Sequence, residues 1–264
     1  MHLHFAKMQA LGNDFMVMKW PHDLPTPDPD TVRRWADRRS GVGFDQLLIV
    51  DSDTDPDVDA TYRIFNADGS EVEQCGNGVR CVARFLADER GKEELKLQSI
   101  AGIVVARVLV DGEISVNLGE PLFDPGALPF QVESEKDFYQ IDCEAEEIEF
   151  GAVSVGNPHV VIAVDSVDAA PVGILGAVLG SHSLFPNGVN VGFVEIENPK
   201  HVRLRVFERG VGETPGCGTG AAAAVAVGSR WKALDESVSV SLPGGTLNVH
   251  WAGVGSPLWL RGPT

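Results

Sequence analysis

The sequence predicts a mixed α/β protein of two similar halves, each with several strands and one central helix. Three observations carry this. The stretch "RIFNADGSEVEQCGNG" (residues 63–78) recurs as "RVFERGVGETPGCGTG" (205–220), so that Arg63, Phe65, Glu71, Cys75, Gly76 and Gly78 meet Arg205, Phe207, Glu213, Cys217, Gly218 and Gly220 at a constant offset of 142. At an offset of 144, Asn13 in "GND" meets Asn157 in "GNP", and Gln46 meets Asn190. Finally, 264 residues suffice for two domains that each bury a core. Order, spacing and residue type kept together imply an internal duplication, not a short-period solenoid.

The elements follow in chain order. Alternation of apolar and polar residues reads as strands in "HLHFAKMQ" (2–9), "ATYRIF" (60–65), "LKLQ" (95–98), "IVVARVLV" (103–110) and "ISVNL" (114–118). After "CGNG", Val79, Val82, Ala83 and Leu86 fall at i, i+3, i+4 and i+7, the apolar face of a helix. "GEPLFDPGALPF" (119–130), rich in proline and glycine, reads as a linker. The second half repeats the style with "HVVIAVD" (159–165), "NVGFVEI" (190–196), "VRLRVFE" (202–208), "SVSVSL" (237–242) and "TLNVHW" (246–251). After "CGTG", the run "AAAAVAV" (221–227) is apolar all round, as in a helix buried on most sides.

Composition narrows the function classes. A formal net charge of −17 opposes binding to nucleic acid or anionic membranes. The acid concentrates in "DSDTDPDVD" (51–59) and "EAEEIE" (144–149), read as solvated loops or strand edges. There is no apolar run of membrane-spanning length and no leader-like start, so a cytoplasmic location is expected. Cys75, Cys81, Cys143 and Cys217 then read as free thiols, and their spacing is not that of a metal site. Cys81, six residues beyond Cys75, reads as a packing residue.

Each Cys-Gly-x-Gly enters a helix, where unpaired N–H groups and the helix dipole favour an anion. A cysteine there should ionise more readily than a free thiol, and a carboxylate can dock on the same amides. The plain alternative, glycines for close packing and cysteines as small hydrophobes, explains one copy but not two in register. Facing each other across a pseudo-twofold axis, two thiols suit inversion of a stereocentre: a base removes a proton from one face and an acid returns one on the other. No pyridoxal-phosphate lysine context and no metal cluster is visible, which leads to a cofactor-independent racemase or epimerase.

These motifs carry a resemblance. "MQALGNDF", "GFDQLL", "FNADGSEVEQCGNGVRC", "SVGNPHVV", "NVGFVE" and "RVFERGVGETPGCGTGA" resemble the diaminopimelate epimerase family over nearly the whole chain. The resemblance implies interconversion of LL- and meso-diaminopimelate, without a cofactor or metal, in lysine and peptidoglycan precursor synthesis. It implies an α+β fold of two pseudo-symmetric domains, each a curved, mainly antiparallel sheet wrapped around a central helix, with the active site in the inter-domain cleft. The expected domains are 1–118 with about 252–264, and 119–251. Cys75 and Cys217 become the proton-transfer residues, while Gly76, Asn77, Gly218 and Thr219 hold the reacting carboxylate. Asn66, Asn190 and Arg209 become donors to the distal carboxylate, and Glu208 takes an ammonium group beside the second cysteine. Asn13, Gln46 and Asn157 align with the other substrate contacts, and His159 with a residue that tunes the thiols. A homodimer is implied, weakened where the chain stops at Thr264, short of the family's closing segment. Two other readings stand beside this one: a proline or hydroxyproline racemase, and a non-enzymatic thiol redox or metal-binding module.

Overall fold

The structure, a computed structural model, is described for residues 2–21, 23–51, 57–72, 75–143 and 146–264. The chain divides into two compact units, residues 1–117 with 261–264, and residues 118–260. The returning segment is therefore shorter than the sequence suggests. Trp251 and the turn after it stay with the second unit, where the Trp251 indole N–H donates to the Ser256 carbonyl and the ring packs on Phe123. Residues 119–130 are not a loose linker either. They hold a 3₁₀ turn at Pro125–Ala127, and Leu128 and Phe130 are buried in the second unit's core.

The first unit contains β1 (Ala6–Ala10), β2 (Asn13–Lys19), α1 (Pro29–Ala36), β3 (Gln46–Asp51), β4 (Ala60–Asn66), β5 (Glu71–Val72), α2 (Gly76–Arg90), β6 (Glu94–Ser99), β7 (Gly102–Val108) and β8 (Ile114–Asn117). β1 pairs antiparallel with β2, β2 parallel with β3, and β3 antiparallel with β4. β4 then pairs parallel with β6, and β6, β7 and β8 follow antiparallel. Helix α2 packs against β1, β2, β3, β6, β7 and β8, so the sheet curves around it. Its face Val79, Val82, Ala83 and Leu86 is fully buried, and Gly91, at φ 65°, ends it in the left-handed conformation glycine accepts. The sheet's other side holds Met16, Met18, Leu47 and Phe65 against Val32 and Ala36 of α1.

The second unit contains β9 (Tyr139–Cys143), β10 (Glu146–Ser154), β11 (Pro158–Ala163), α3 (Val172–Gly180), β12 (Asn190–Asn198), β13 (His201–Glu208), β14 (Gly212–Thr214), α4 (Gly218–Arg230), β15 (Ser237–Leu242) and β16 (Gly245–His250). β17 (Trp259–Gly262) carries the chain back into the first unit, where Arg261 pairs with Asp111 and Glu113. The second unit repeats the topology of the first. β11 and β12 are parallel with His159 opposite Asn190, as β2 and β3 place Phe15 opposite Gln46. Val191 faces Phe207 as Leu47 faces Phe65, and Phe207 faces Glu213 as Phe65 faces Glu71. The duplication thus extends to strand register. α4 packs against β10, β11, β12, β13 and β16, and it is buried from Gly218 to Gly228. No described helix is long and apolar enough to cross a membrane.

Candidate active site

In the first unit, the candidate residues gather at adjoining strand ends and the start of α2. Gln46 stands opposite Asn66 across the β3–β4 pair and donates from Nε2 to Asn66 Oδ1 at 3.0 Å. Asn66 donates in turn to Ser70 Oγ at 3.1 Å. Asn13, the first residue of β2 after the left-handed pair Leu11 and Gly12 (φ 53° and 83°), points its amide at Cys75 Sγ, 3.9 Å away. Cys75 is extended, and its sulfur caps α2 by accepting from Gly78 N at 3.4 Å. Gly76 and Asn77 follow as the first helical residues, both buried. Buried Gln46 Oε1 has no partner among the described residues.

Two groups hold this set in place; Asp14, Asp45 and Arg80 among them lie inside the quoted motifs but are not singled out by them. Asp14 and Asp45 exchange backbone N–H to carboxylate bonds, each 3.0 Å, and Arg38 bridges both carboxylates. Their neighbours in sequence are Asn13 and Gln46, so the clamp fixes where both begin. The bonds from Arg38 and Lys7 hold the Asp14 carboxyl well below its ordinary range, outweighing burial. The other is Arg80, buried within α2 and bonded to Gly76 O and Asn77 Oδ1.

The second unit repeats the plan with different chemistry. Cys217 caps α4 as Cys75 caps α2, accepting from Gly220 N at 3.4 Å. Its thiol donates to Glu208 Oε2 at 3.2 Å and lies 3.6 Å from Thr219 Oγ1. Thr214 donates to the other Glu208 oxygen. Asn157 Nδ2 reaches Thr219 Oγ1 at 3.4 Å, and Asn157 Oδ1 lies 3.0 Å from His159 Nε2. Asn190 donates to Pro158 O and accepts from Arg209 N, while the Arg209 guanidinium donates to Asn187 O. Both amide ends of Asn190 thus brace the strand ends in addition to any role toward a ligand.

Two sequence expectations change here. The position of Cys217 at a helix N-terminus predicts easier ionisation, yet burial and the adjacent Glu208 carboxylate push its thiol well above the ordinary value. Burial of this residue, only 4 % exposed, outweighs the helix dipole. His159 is linked to Cys217 through Asn157 and Thr219, and burial with the nearby Arg209 drives the imidazole pKa down to about 3. The Glu208 carboxylate is the charged neighbour that raises the Cys217 thiol, second to burial. His159 Nδ1 is buried without a partner among the described residues.

Cys81 is fully buried and its thiol is pushed up to about 12 by burial, as suits a packing residue. Of the acidic tracts, residues 52–56 and 144–145 lie outside the described residues. Asp59 is no free surface charge, since its carboxylate accepts from Lys96 N and pairs with Lys92. Among the described residues no group of three or more His, Cys, Asp or Glu could hold a metal ion.

Comparison with known proteins identifies the family and the fold. The family profile described as diaminopimelate epimerase matches residues 5–123 and 151–263. The chain is 49 % identical over 263 residues to the diaminopimelate epimerase of Ectopseudomonas mendocina (strain ymp), covering 99 % of this chain and 95 % of that one. Identity and coverage are the same for the diaminopimelate epimerase of Pseudomonas aeruginosa (strain UCBPP-PA14). Among solved structures, a hydroxyproline epimerase from Agrobacterium vitis superposes with a TM-score of 0.69 at 18 % identity, covering 98 % of this chain and 89 % of that one. A methylitaconate-delta-isomerase does so with a TM-score of 0.65 at 14 % identity, covering 99 % and 92 %. At those identities the likeness concerns the fold, which serves more than one isomerisation.

Proposed function

The chain belongs to the diaminopimelate epimerase family, and from that premise we propose that it epimerises LL-2,6-diaminopimelate to the meso form with Cys75 and Cys217 as its acid/base pair. It is an isomerase, and the reaction belongs to lysine and peptidoglycan precursor synthesis. The observation that carries the assignment of residues is the duplicated sulfur cap: each unit has a cysteine whose Sγ accepts from the third amide of the helix it begins. In the LL to meso direction, the thiolate of Cys75 takes the α-proton, leaving the electron pair on the α-carbon and its carboxylate. The Cys217 thiol then delivers its proton to the opposite face and becomes the thiolate. The reverse reaction exchanges the roles, so atoms and charge balance without a further reactant.

Cys217 suits the acid role because its proton is directed at Glu208 and burial disfavours the thiolate. Gly76, Asn77, Gly218 and Thr219 supply amides to the reacting carboxylate, where negative charge develops. Asn13, Gln46 and Asn157 contact the substrate near this centre. Asn66, Asn190 and Arg209 take the distal carboxylate, and Glu208 takes an ammonium group. We place the enzyme in the cytoplasm as a homodimer that uses no cofactor; light scattering that finds only monomer at working concentration removes the dimer.

Proton NMR in D2O with LL-diaminopimelate tests the reading. Deuterium should enter one α-position as meso product forms, and Cys75→Ala and Cys217→Ala should each abolish turnover. Wild-type protein that exchanges no α-proton of diaminopimelate but racemises proline would replace this reading with the proline-type one.

A further inference from the structure

Arg80 is the largest fully buried side chain in the described structure, and no described carboxylate forms an ion pair with it. The acidic groups that act on it are the thiols of Cys81 and Cys75 and, less strongly, Glu113, whose carboxylate is paired with Arg261. Burying a guanidinium without a carboxylate is costly, and near a helix N-terminus the dipole adds to the cost. Burial accordingly lowers the Arg80 pKa to about 10. The fold itself does not require a cation here. At the offset of 142, the same turn of α4 carries Ala222, also fully buried, and α4 forms around an equivalent sulfur cap.

The arginine's contacts differ from anything an alanine can make. Nη2 donates to Asn77 Oδ1 at 2.9 Å, Nη1 to Gly76 O at 3.2 Å and Nε to Pro263 O at 3.4 Å. One planar group therefore ties the first two residues of α2 to each other and to the returning end of the chain. In the second unit the counterpart of Asn77 is Thr219, whose hydroxyl is held instead by Asn157. Each copy holds its first helical turn through a side chain, Arg80 in one and Asn157 in the other.

We propose that Arg80 is a positioning residue of the epimerisation: its buried guanidinium fixes Gly76 and Asn77 so that their backbone N–H groups meet the substrate carboxylate. This rests on the assignment of those amides under the proposed function. Arg80→Met removes the fork and the charge, while Arg80→Lys keeps a charge but bonds at a single point. The experiment measures thermal melting, kcat and KM for LL-diaminopimelate in both variants, in Asn77→Ala and in Arg80→Met with Asn77→Ala. Arg80→Met should melt cooperatively yet raise KM and lower kcat/KM by about 10- to 100-fold, with Arg80→Lys between it and wild type. The double variant should lose less than the product of the single losses, because Arg80 acts partly through Asn77. A folded Arg80→Met with wild-type kcat and KM overturns the proposal. So does a loss confined to kcat with KM unchanged, as expected when only the amount of native enzyme falls. If Arg80→Met does not fold, Arg80→Lys decides on the same criteria, and failure of both to fold makes Arg80 structural. An inactive wild type would instead refute the proposed function and is read in the same assay.

Discussion

At the scale of single residues, the two sulfur caps differ because of their neighbours. Position 66 is asparagine and its counterpart at 208 is glutamate, and that glutamate places a carboxylate 3.2 Å from Cys217 Sγ. That carboxylate and burial both raise the thiol's pKa, burial being the larger cause. Glu208→Gln should therefore lower the Cys217 pKa but leave it above that of a free thiol. In a Cys75→Ala background, alkylation of Cys217 followed by peptide mass spectrometry should accelerate at neutral pH, with its pH midpoint moved down. An unchanged midpoint would show that Glu208 does not govern the thiol. His159 gives a second prediction, this time for stability. Its folded pKa of about 3 lies below the ordinary imidazole value of 6.5, so between those values the unfolded chain binds a proton that the folded chain does not. Its contribution is complete above about pH 6.5 and is lost as pH falls toward 3, amounting to at most a few kcal/mol. Melting His159→Gln and wild type at pH 7.5 and 4.5 checks the sign: the variant should lose less stability between them. These residues were legible as candidates through their motifs. Their electrostatics were not, because burial of Cys217 and neutrality of His159 depend on packing from distant strands.

At the scale of elements, what could be read from sequence depended on how many faces each element buries. The one-sided face of α2 was plain in its spacing, and strands with an exposed side, such as β6 and β15, alternate. β2 and β3 do not: "DFMVMK" and "QLLIVD" are covered on both sides, by α2 and by the α1 cluster, so period-two alternation disappears. β5 and β14 are too short to show a period. Helix α3 escapes notice because its apolar sequence shows no polar face. The glycines of Cys-Gly-x-Gly were legible as a motif, but their reason is steric. A Cβ at Gly220 would lie 2.8 Å from Val206 Cγ2 and 3.3 Å from Cys217 Sγ. At Gly78 the nearest atom would be Leu48 Cδ2 at 3.2 Å, a contact that can give more readily. Gly220→Ala should displace the thiol and lower kcat about tenfold or more, with a smaller loss for Gly78→Ala. Equal, negligible losses in a steady-state assay would mean that the sulfur's position tolerates such shifts.

At the scale of the molecule, duplication made two units visible, but the divergence between copies and the total charge set how the chain behaves. Arginine–glutamate forks recur at Arg63–Glu71 and Arg205–Glu213, each joining a strand to the segment that leads to its cysteine. Such partly exposed pairs contribute about 0–1 kcal/mol apiece. Against them stands the excess of 38 acidic over 21 basic residues, a net charge of −17 that repels itself across the compact state. Salt weakens both effects, but the ion pairs are short contacts while the repulsion sums over long distances. At 0.1 M the screening length is about 10 Å, so the long-range repulsion is removed first. Raising KCl from low ionic strength to that range should therefore raise the melting temperature, with the gain diminishing at higher salt. A melting temperature that falls over the same range would mean that paired charges outweigh the acidic excess, and the forks would then be the first groups to substitute.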